Sequence, residues 1–360
     1  MKANTSPVPQ QRRHVSLADV ARLAGVSQMT VSYALRNNPK ISLATRQRVQ
    51  RAARKAGYVP HPEIGRLLHL LRAKRMRSYE ATLGFLSFAH DAHPVVHSYT
   101  SNVIAGAKSR AVALGYTVDL FNVDTAQLSQ IRLTTMLKGR GIRGVLIPPL
   151  PAMEDCAQLL DWSQFSIVAA TYSAQNLPVN RVVPHHQNNI IRAIQRMKIL
   201  GHHRLGLVLT DDIGHRTNFA YQAAFALRQQ LGELAFIPVL TLDLDHPEQL
   251  TGLIVPWVRE FQPEVILAPG NASDVLCSEI GRLFRSEIEI CLLDHSGVGK
   301  FAGIHQHPLI IGETATDLLA RQVQHGEIGF PPHPLVTMVE GRWLDGATLH
   351  KRPLASRAKP

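Results

Sequence analysis

The sequence predicts a small all-α helix-turn-helix head at the N-terminus and a larger α/β body of two lobes, each built on a doubly wound parallel sheet. Three observations predict this class. Short helices with clear start and stop residues fill positions 15–60, strands and helices alternate from 81 to about 350, and positive charge is concentrated before residue 81. The predicted segments are a disordered tail (1–14), the head (15–60), a hinge or linker (61–80), the body (81–350) and a second tail (351–360).

The formal net charge of +12 is unevenly distributed along the chain. The first 80 residues hold sixteen Lys and Arg against three acidic residues, a net charge of +13, so the other 280 residues are close to neutral. A basic head on a near-neutral body is typical of a polyanion-binding module joined to a second domain. A solvated charged surface is the alternative interpretation.

Composition also excludes several classes of protein. There is no run of about 18 apolar residues, so we expect no transmembrane helix. The first twenty residues carry Pro, Gln and Arg where a signal peptide needs an apolar stretch, which predicts a cytoplasmic protein. Three scattered cysteines and histidine pairs without thiolates or a suitably spaced Glu predict neither disulfides nor a metal site, and we expect no cofactor.

The head has the pattern of a helix-turn-helix. Leu17–Ala24 places small and branched apolar residues on one helical face, and Gly25 supplies a left-handed stop. Ser27 is a suitable N-cap for a second helix over Gln28–Leu35, and Ser42 is one for a third helix that ends near residue 56. In this motif the second helix enters the major groove of DNA.

The segment from Leu17 to Pro60 resembles the DNA-binding head of the LacI/GalR (lactose/galactose repressor) family of transcriptional regulators. The family pattern is matched without gaps at Leu17, Asp19, Val20, Ala21, Ala24, Gly25, Val26, Ser27, Thr30, Val31, Ser32 and Leu35. The resemblance implies a sequence-specific DNA-binding transcription regulator whose affinity for its operator is modulated by a small-molecule effector.

The resemblance also implies roles for individual residues. Gln28, Met29 and Tyr33 fall where the family reads base edges. Arg is frequent at the position of Tyr33, and because tyrosine cannot make a bidentate contact to guanine, we expect a different recognised sequence. The residues implied in phosphate contact or positioning are Leu17, Ala18, Ser27, Thr30, Ser32, Asn37, Thr45, Arg46 and Tyr58. For Thr30 and Ser32, plain helix surface is the alternative.

The linker departs from the family pattern. Leu67 is the positional match to the leucine that the family wedges into the minor groove, and Gly65 weakens a free helix there by roughly 1 kcal/mol. Other candidates for the wedge are Leu68, Leu70 and Leu71. These leucines could instead form a helix that faces a second subunit.

Short apolar runs and helical stretches alternate through the body. The predicted strands are TLGFLSF (82–88), YTVDLF (116–121), GVLIPP (144–149), SIVAA (166–170), LGLVL (205–209), EVILAP (264–269) and IEICLL (288–293). From residue 81 to about 350 the pattern is similar to the periplasmic-binding-protein-like, effector-binding and dimerisation domain of the same family. We expect the lobes to divide near residue 178 and the chain to recross near 302 and 334.

The effector is expected in the cleft between the lobes, at the carboxyl ends of the strands. Six polar residues follow predicted strands there: His90, Asp91, Tyr172, Arg216, Asn271 and Asp294. Ordinary loop polarity is the alternative for each of them, and a carbohydrate is the default effector.

The residues 297–300 end like a phosphate-binding loop, but Phe301 replaces the hydroxyl residue and Asp294 stands where the first glycine belongs, so we expect no enzyme. The sequence therefore predicts a homodimeric repressor, with activation left open, that binds near-palindromic double-stranded operator DNA. The alternatives are a solute-binding protein, a nucleic-acid-processing enzyme with a fused DNA-binding head, and a non-specific DNA-binding protein.

Overall fold

The computed structural model describes residues 15–35, 41–58, 81–88, 94–123, 129–150, 154–244, 246–273, 276–278, 288–297 and 299–350. Four residues with predicted roles lie outside these ranges, together with both terminal tails and the linker: Asn37, Leu67, His90 and Asp91. The chain forms two compact units, and the second unit, which contains two six-stranded sheets and a two-stranded sheet of Glu154–Asp155 and Ala174–Gln175, begins at residue 80. The two units are described separately.

The helices, numbered along the chain, are α1 (Leu17–Ala24), α2 (Gln28–Leu35), α3 (Leu43–Ala56), α4 (Pro94–Ala113), α5 (Gln130–Gly139), α6 (His186–Ile199), α7 (Asp211–Arg216), α8 (Ala220–Gln230), α9 (Pro247–Phe261) and α10 (Pro308–His325). The strands are β1 (Ala81–Phe88), β2 (Tyr116–Val123), β3 (Gly144–Ile147), β4 (Glu154–Asp155), β5 (Ser166–Ala169), β6 (Ala174–Gln175), β7 (Asn180–Pro184), β8 (Leu205–Thr210), β9 (Leu240–Leu242), β10 (Val265–Ala268), β11 (Glu289–Leu292), β12 (Ala302–His305), β13 (Val336–Val339) and β14 (Arg342–Leu344). No helix in the described part of the chain is long and apolar enough to cross a membrane.

The head consists of α1, α2 and α3, as the sequence predicted. A capping box starts α1: the Asp19 amide donates to the Ser16 hydroxyl, and the Ser16 amide donates to the Asp19 carboxylate. Gly25 ends the helix with a φ of 62°, a left-handed conformation that glycine adopts without a steric cost. Small apolar side chains from all three helices form the core: Val20, Ala21, Ala24, Val31, Ala34, Val49 and Ala53.

The first lobe of the body is a six-stranded sheet in the order β13-β7-β5-β3-β1-β2, and every recorded pair in it is parallel. Its central strands β3 and β5 are buried along their whole length because apolar clusters cover both faces. Helix α10 packs closely on α4. A Cβ atom at Gly312 would lie 1.9 Å from the Val103 carbonyl oxygen, and one at Gly106 would lie 2.1 Å from the Leu309 oxygen.

The second lobe repeats this arrangement in the order β14-β12-β11-β10-β8-β9. Its recorded pairs are parallel except for β14, which runs antiparallel to β12. Apolar clusters again cover both faces of the sheet. The doubly wound, two-lobed architecture predicted for the body is therefore confirmed.

The chain passes between the lobes later than we predicted. The crossings lie between Pro184 and His186, between β12 and α10, and between β13 and β14, not near residues 178, 302 and 334. The reason is pairing: β7 joins β5 in the first sheet, and β13 then pairs with β7 in parallel, with Val336 opposite Arg181. Both strands therefore extend the first sheet beyond the predicted boundaries.

Candidate DNA-binding helix and ligand cavity

Helix α2 is oriented by its cap and by two buried side chains. The Thr30 amide donates to the Ser27 hydroxyl over 3.1 Å, so Ser27 starts the helix at Gln28. Val31 and Ala34 are fully buried in the head core, which turns the opposite face outward. Met29 is 64% exposed on that face, and a large apolar side chain in this position is available for contact with another molecule.

The residues predicted to read bases all lie on α2. Gln28 and Met29 are exposed, whereas Tyr33 is half-buried at the side of the helix. The structure thus places them together on one short element, and their contacts with bases stay a prediction.

Several residues predicted to position DNA also hold the head together. The hydroxyls of Ser27 and Thr30 lie 2.9 Å apart, and the Thr45 amide donates to Ser42, which caps α3. Arg46 Nη2 donates to the Ile41 carbonyl oxygen over 3.1 Å. These contacts fix the helix ends at which phosphate contacts are predicted, and the contacts themselves stay predictions. The remaining residues of this set have these environments: Leu17 and Tyr58 are half-buried, Ala18 is exposed and Ser32 lies within α2.

Sequence analysis counted the basic residues of the head without placing them. On α3 four of them are exposed: Arg48, Arg51, Arg54 and Lys55. Exposed basic side chains such as these can contact the phosphates of DNA. The signal that could have located them is the helical spacing of basic residues in this segment.

A cavity lies between the lobes of the body, where the carboxyl ends of parallel strands from both sheets meet. Its empty space, including the open mouth, is about 710 Å³. The residues that line it are Tyr99, Pro149, Ala170, Thr171, Tyr172, Val183, Pro184, His186, Ile213, Arg216, Thr217, Tyr221, Pro269, Asn271, Leu293, Asp294 and Gln306. All four predicted effector contacts that the structure describes are among them.

Asp294 is the acidic group of the cavity. Its Oδ1 accepts a hydrogen bond from the Gly270 amide over 2.5 Å. Burial raises the pKa of Asp294 to about 7, and this bond and the positive charge of Arg216 only partly oppose the rise. Arg216 itself is paired with Asp212, with 2.8 Å between Nη1 and Oδ2. The cavity therefore holds a carboxyl group that gains or loses its proton near neutral pH.

Asn271 offers an unused hydrogen-bond acceptor. The residue is only 7% exposed, and its Oδ1 is buried without a partner in the part of the chain that the structure describes. A buried amide oxygen without a partner costs free energy, so a ligand that donates a hydrogen bond there would relieve this cost.

Tyr172 is held at the cavity by the loop that follows β5. Arg181 fixes this loop, because its guanidinium donates to the carbonyl oxygens of Thr171, Ala174 and Leu177 over 2.7 to 2.9 Å. Burial lowers the pKa of Arg181. Tyr172 is half-buried and lines the cavity.

The polar cavity residues that sequence analysis missed include Tyr99, His186, Tyr221 and Gln306. Tyr99 and Tyr221 lie inside helices, and His186 and Gln306 lie at two of the crossings between lobes. None of these four residues directly follows a predicted strand. The predicted effector contacts were chosen because they follow such strands, so these four were not selected. Within the described residues there is no group of three or more His, Cys, Asp or Glu that could hold a metal ion.

The chain combines a three-helix head, whose second helix faces outward, with a two-lobed α/β body that has a cavity between its lobes. These features define a helix-turn-helix protein with a body of the ligand-binding type. Residues 16–61 match the family model described as bacterial regulatory proteins, lacI family. The assignment to this family therefore concerns the helix-turn-helix segment of the chain.

Curated relatives agree with this assignment. The chain is 30% identical over 207 residues to the HTH-type transcriptional repressor CytR of Escherichia coli (strain K12), which is 55% of this chain and 54% of that protein. It is 24% identical over 225 residues to the lactose operon repressor of the same organism, or 61% and 59% of the two chains. The match thus spans little more than half the length of these relatives.

Solved structures support the fold. The transcriptional regulator CelR–cellobiose complex aligns with a TM-score of 0.57 at 20% identity, over 93% of this chain and 100% of that one. The lac repressor dimer bound to operator and the anti-inducer ONPF aligns with a TM-score of 0.54 at 19% identity, over 93% and 99%. At these identities the likeness concerns the fold alone.

Proposed function

We propose that this protein is a transcription repressor that binds operator DNA through α2 and responds to a small molecule bound between the lobes of its body. The observation that carries the proposal is the exposed face of α2, with Gln28 and Met29, inside the segment that matches the lacI family model. The second helix of such a motif reads base edges in the major groove.

The charge of the head supports DNA as the partner. Exposed arginines on α3 and the net charge of +13 before residue 81 would neutralise phosphates and release counterions on binding. A single eight-residue helix contacts few base pairs, so we propose that a homodimer reads a near-palindromic operator with one α2 in each half-site. The printed description of the lac repressor as a dimer bound to operator supports this arrangement.

The cavity supports the second half of the proposal. It combines prolines and tyrosine rings with a carboxyl, a guanidinium and two amide side chains, a lining suited to a compact polar molecule. A carbohydrate fits these groups, and the regulator CelR is described in complex with cellobiose. A ligand that bridges the lobes would favour one lobe arrangement and so change operator affinity, typically by 1–3 kcal/mol of coupling.

We propose no catalytic role, and the protein would act in the compartment that contains the DNA. The cavity lies where the family places an effector, and Arg216, Asn271 and Asp294 are proposed as its contacts. Tyr172 is proposed as a ring that packs against the ligand.

The function can be tested by selecting genomic DNA fragments on the purified full-length protein, with and without a panel of mono- and disaccharides. A fluorescence-anisotropy titration then compares the selected site with a scrambled site at physiological salt. We expect the selected site to bind at least about 10³-fold more tightly and one sugar to change its affinity. Equal affinity for both DNA sequences would contradict a specific regulator, and an unchanged affinity with every sugar would contradict a carbohydrate effector.

A further inference from the structure

A chain of three hydrogen-bonded side chains lies in the wall of the cavity. Gln306 follows β12 at one crossing between the lobes, His186 begins α6 at another, and Tyr221 on α8 lies between them. Gln306 Nε2 is 2.8 Å from the Tyr221 hydroxyl, and this hydroxyl is 3.0 Å from His186 Nδ1. Tyr221 and Gln306 are almost completely buried.

The hydrogen bond between Gln306 and Tyr221 has a fixed direction. The Leu293 carbonyl oxygen can only accept, and the Gln306 side-chain atom 2.8 Å from it must therefore be the amide nitrogen. The second hydrogen of the same nitrogen is directed to the Tyr221 hydroxyl. Tyr221 thus accepts a hydrogen bond from Gln306 and has its own proton left to donate.

The proton of Tyr221 has two acceptors within reach. The Leu293 oxygen is 3.5 Å away and already accepts from Gln306, whereas His186 Nδ1 is 3.0 Å away. The shorter bond favours donation from Tyr221 to Nδ1. A neutral imidazole has a single N–H, and when Nδ1 accepts, this N–H is on Nε2.

The other ring nitrogen is available to a ligand. His186 lines the cavity and is half-buried, and its Nε2 has no hydrogen-bond partner in the described part of the chain. The nitrogen is also not among the fully buried polar atoms without a partner, so it is accessible to solvent.

We propose that Gln306 and Tyr221 are positioning residues that hold His186 in its Nε2–H tautomer and make it a neutral hydrogen-bond donor to the ligand. The ligand atom that meets this donor is then an acceptor oxygen, such as a hydroxyl, ether or carbonyl oxygen. The proposal rests on the proposed function, in which this cavity holds the effector. It assigns one contact of that effector and its direction.

The surroundings keep the imidazole neutral. Burial lowers the pKa of His186 to about 3, and the positive charge of Arg216 on α7 and the neighbouring His185 act in the same direction. The other ionisable groups of the cavity are Tyr99 from α4, Tyr172 after β5, Tyr221 from α8 and Asp294 after β11. Burial raises the pKa of all three tyrosines, so these hydroxyls remain protonated.

The tautomer can be read directly by nitrogen-15 NMR of histidine-labelled full-length protein. Long-range proton–nitrogen correlations distinguish Nε2–H, Nδ1–H and imidazolium rings, and the His186 signals are those missing from a His186→Asn variant. We expect the Nε2–H pattern, unchanged from about pH 5 to pH 8. An Nδ1–H or imidazolium pattern for His186 would overturn the proposal.

Tyr221→Phe tests the positioning role, and Tyr99→Phe is the matched control because it removes another tyrosine hydroxyl that lines the same cavity. We expect Tyr221→Phe to reduce the share of the Nε2–H tautomer at His186, and Tyr99→Phe to leave it unchanged. An unchanged His186 spectrum in Tyr221→Phe would overturn the role of Tyr221. These spectra do not depend on DNA binding, so their failure is distinguishable from failure of the proposed function.

Discussion

The head and the body of this protein form their candidate sites in opposite ways. In the head, three adjacent helices of 8, 8 and 14 residues turn α2 outward, and its candidate contacts lie within one eight-residue segment. In the body, the cavity takes side chains from residues between Tyr99 and Gln306, brought together by two sheets. A surface site can therefore be specified locally, whereas a cavity between lobes depends on the whole fold.

The comparison predicts that the two units respond separately to a buried charge. Val31→Asp puts a carboxylate into the fully buried core of the head, and we expect it to destabilise the head by about 3 kcal/mol or more. DNA binding should be lost, whereas the thermal unfolding transition of the body should keep its midpoint. Anisotropy with operator DNA and calorimetry measure these effects.

Leu23→Asp is the control for this prediction. Leu23 is also apolar and near the turn of the motif, but it is 58% exposed, so a charge there stays in water. The variant should keep a folded head. A shift of the body transition in Val31→Asp would show that the two units do not unfold independently.

A second test separates reading of sequence from attraction to DNA. Met29→Ala and Tyr33→Ala should each cost about 1–3 kcal/mol on the selected operator and little on scrambled DNA, because only base contacts discriminate. Arg46→Ala should weaken both DNA sequences about equally and reduce the salt dependence. Equal losses on both sequences in all three variants would contradict the role assigned to α2.

The proposed effector contact of the body can be tested by removing the side-chain amide oxygen of Asn271. Asn271→Ala should lower affinity for the effector about tenfold, which corresponds to about 1.4 kcal/mol, because the ligand loses a buried hydrogen bond. Operator affinity without effector should stay at the wild-type value. Isothermal titration with the sugar found by selection measures the first effect, and anisotropy measures the second. A loss of effector-free DNA binding would mean that the amide has a structural role instead.

The final prediction is a pH dependence of stability. Because burial raises the pKa of Asp294 to about 7, the folded state retains a proton that the unfolded state releases near pH 4. The contribution of this group to the free energy of unfolding is therefore fully present below pH 4 and is lost as pH rises toward 7. With a pKa near 4 in the unfolded state and about 7 in the folded state, the contribution is on the order of a few kcal/mol.

Denaturant unfolding of wild type and Asp294→Asn between pH 4 and about pH 8 isolates this contribution, since the amide does not titrate. The difference in the free energy of unfolding between the two proteins should change across this range and level off above pH 7. A constant difference would mean that Asp294 is ionised throughout.

Much of the fold could be predicted from the chain alone. The capped helices of the head and seven apolar strands of the body appear at the predicted positions, because caps and apolar periodicity are local properties. The strands β7 and β13 were not predicted. In the first sheet β13 is the edge strand and β7 lies between it and β5, and this pairing is not encoded by any local pattern.

By itself, the sequence determined the helix-turn-helix, the charged head and the positions after strands where Tyr172, Arg216, Asn271 and Asp294 enter the cavity, since neighbouring residues set these features. Only the tertiary structure decided that His186, Tyr221 and Gln306 form one chain of hydrogen bonds and that Asp294 titrates near neutral pH. The physical reason is that hydrogen-bond direction and desolvation depend on groups that are far apart in the chain and meet only when both lobes are folded.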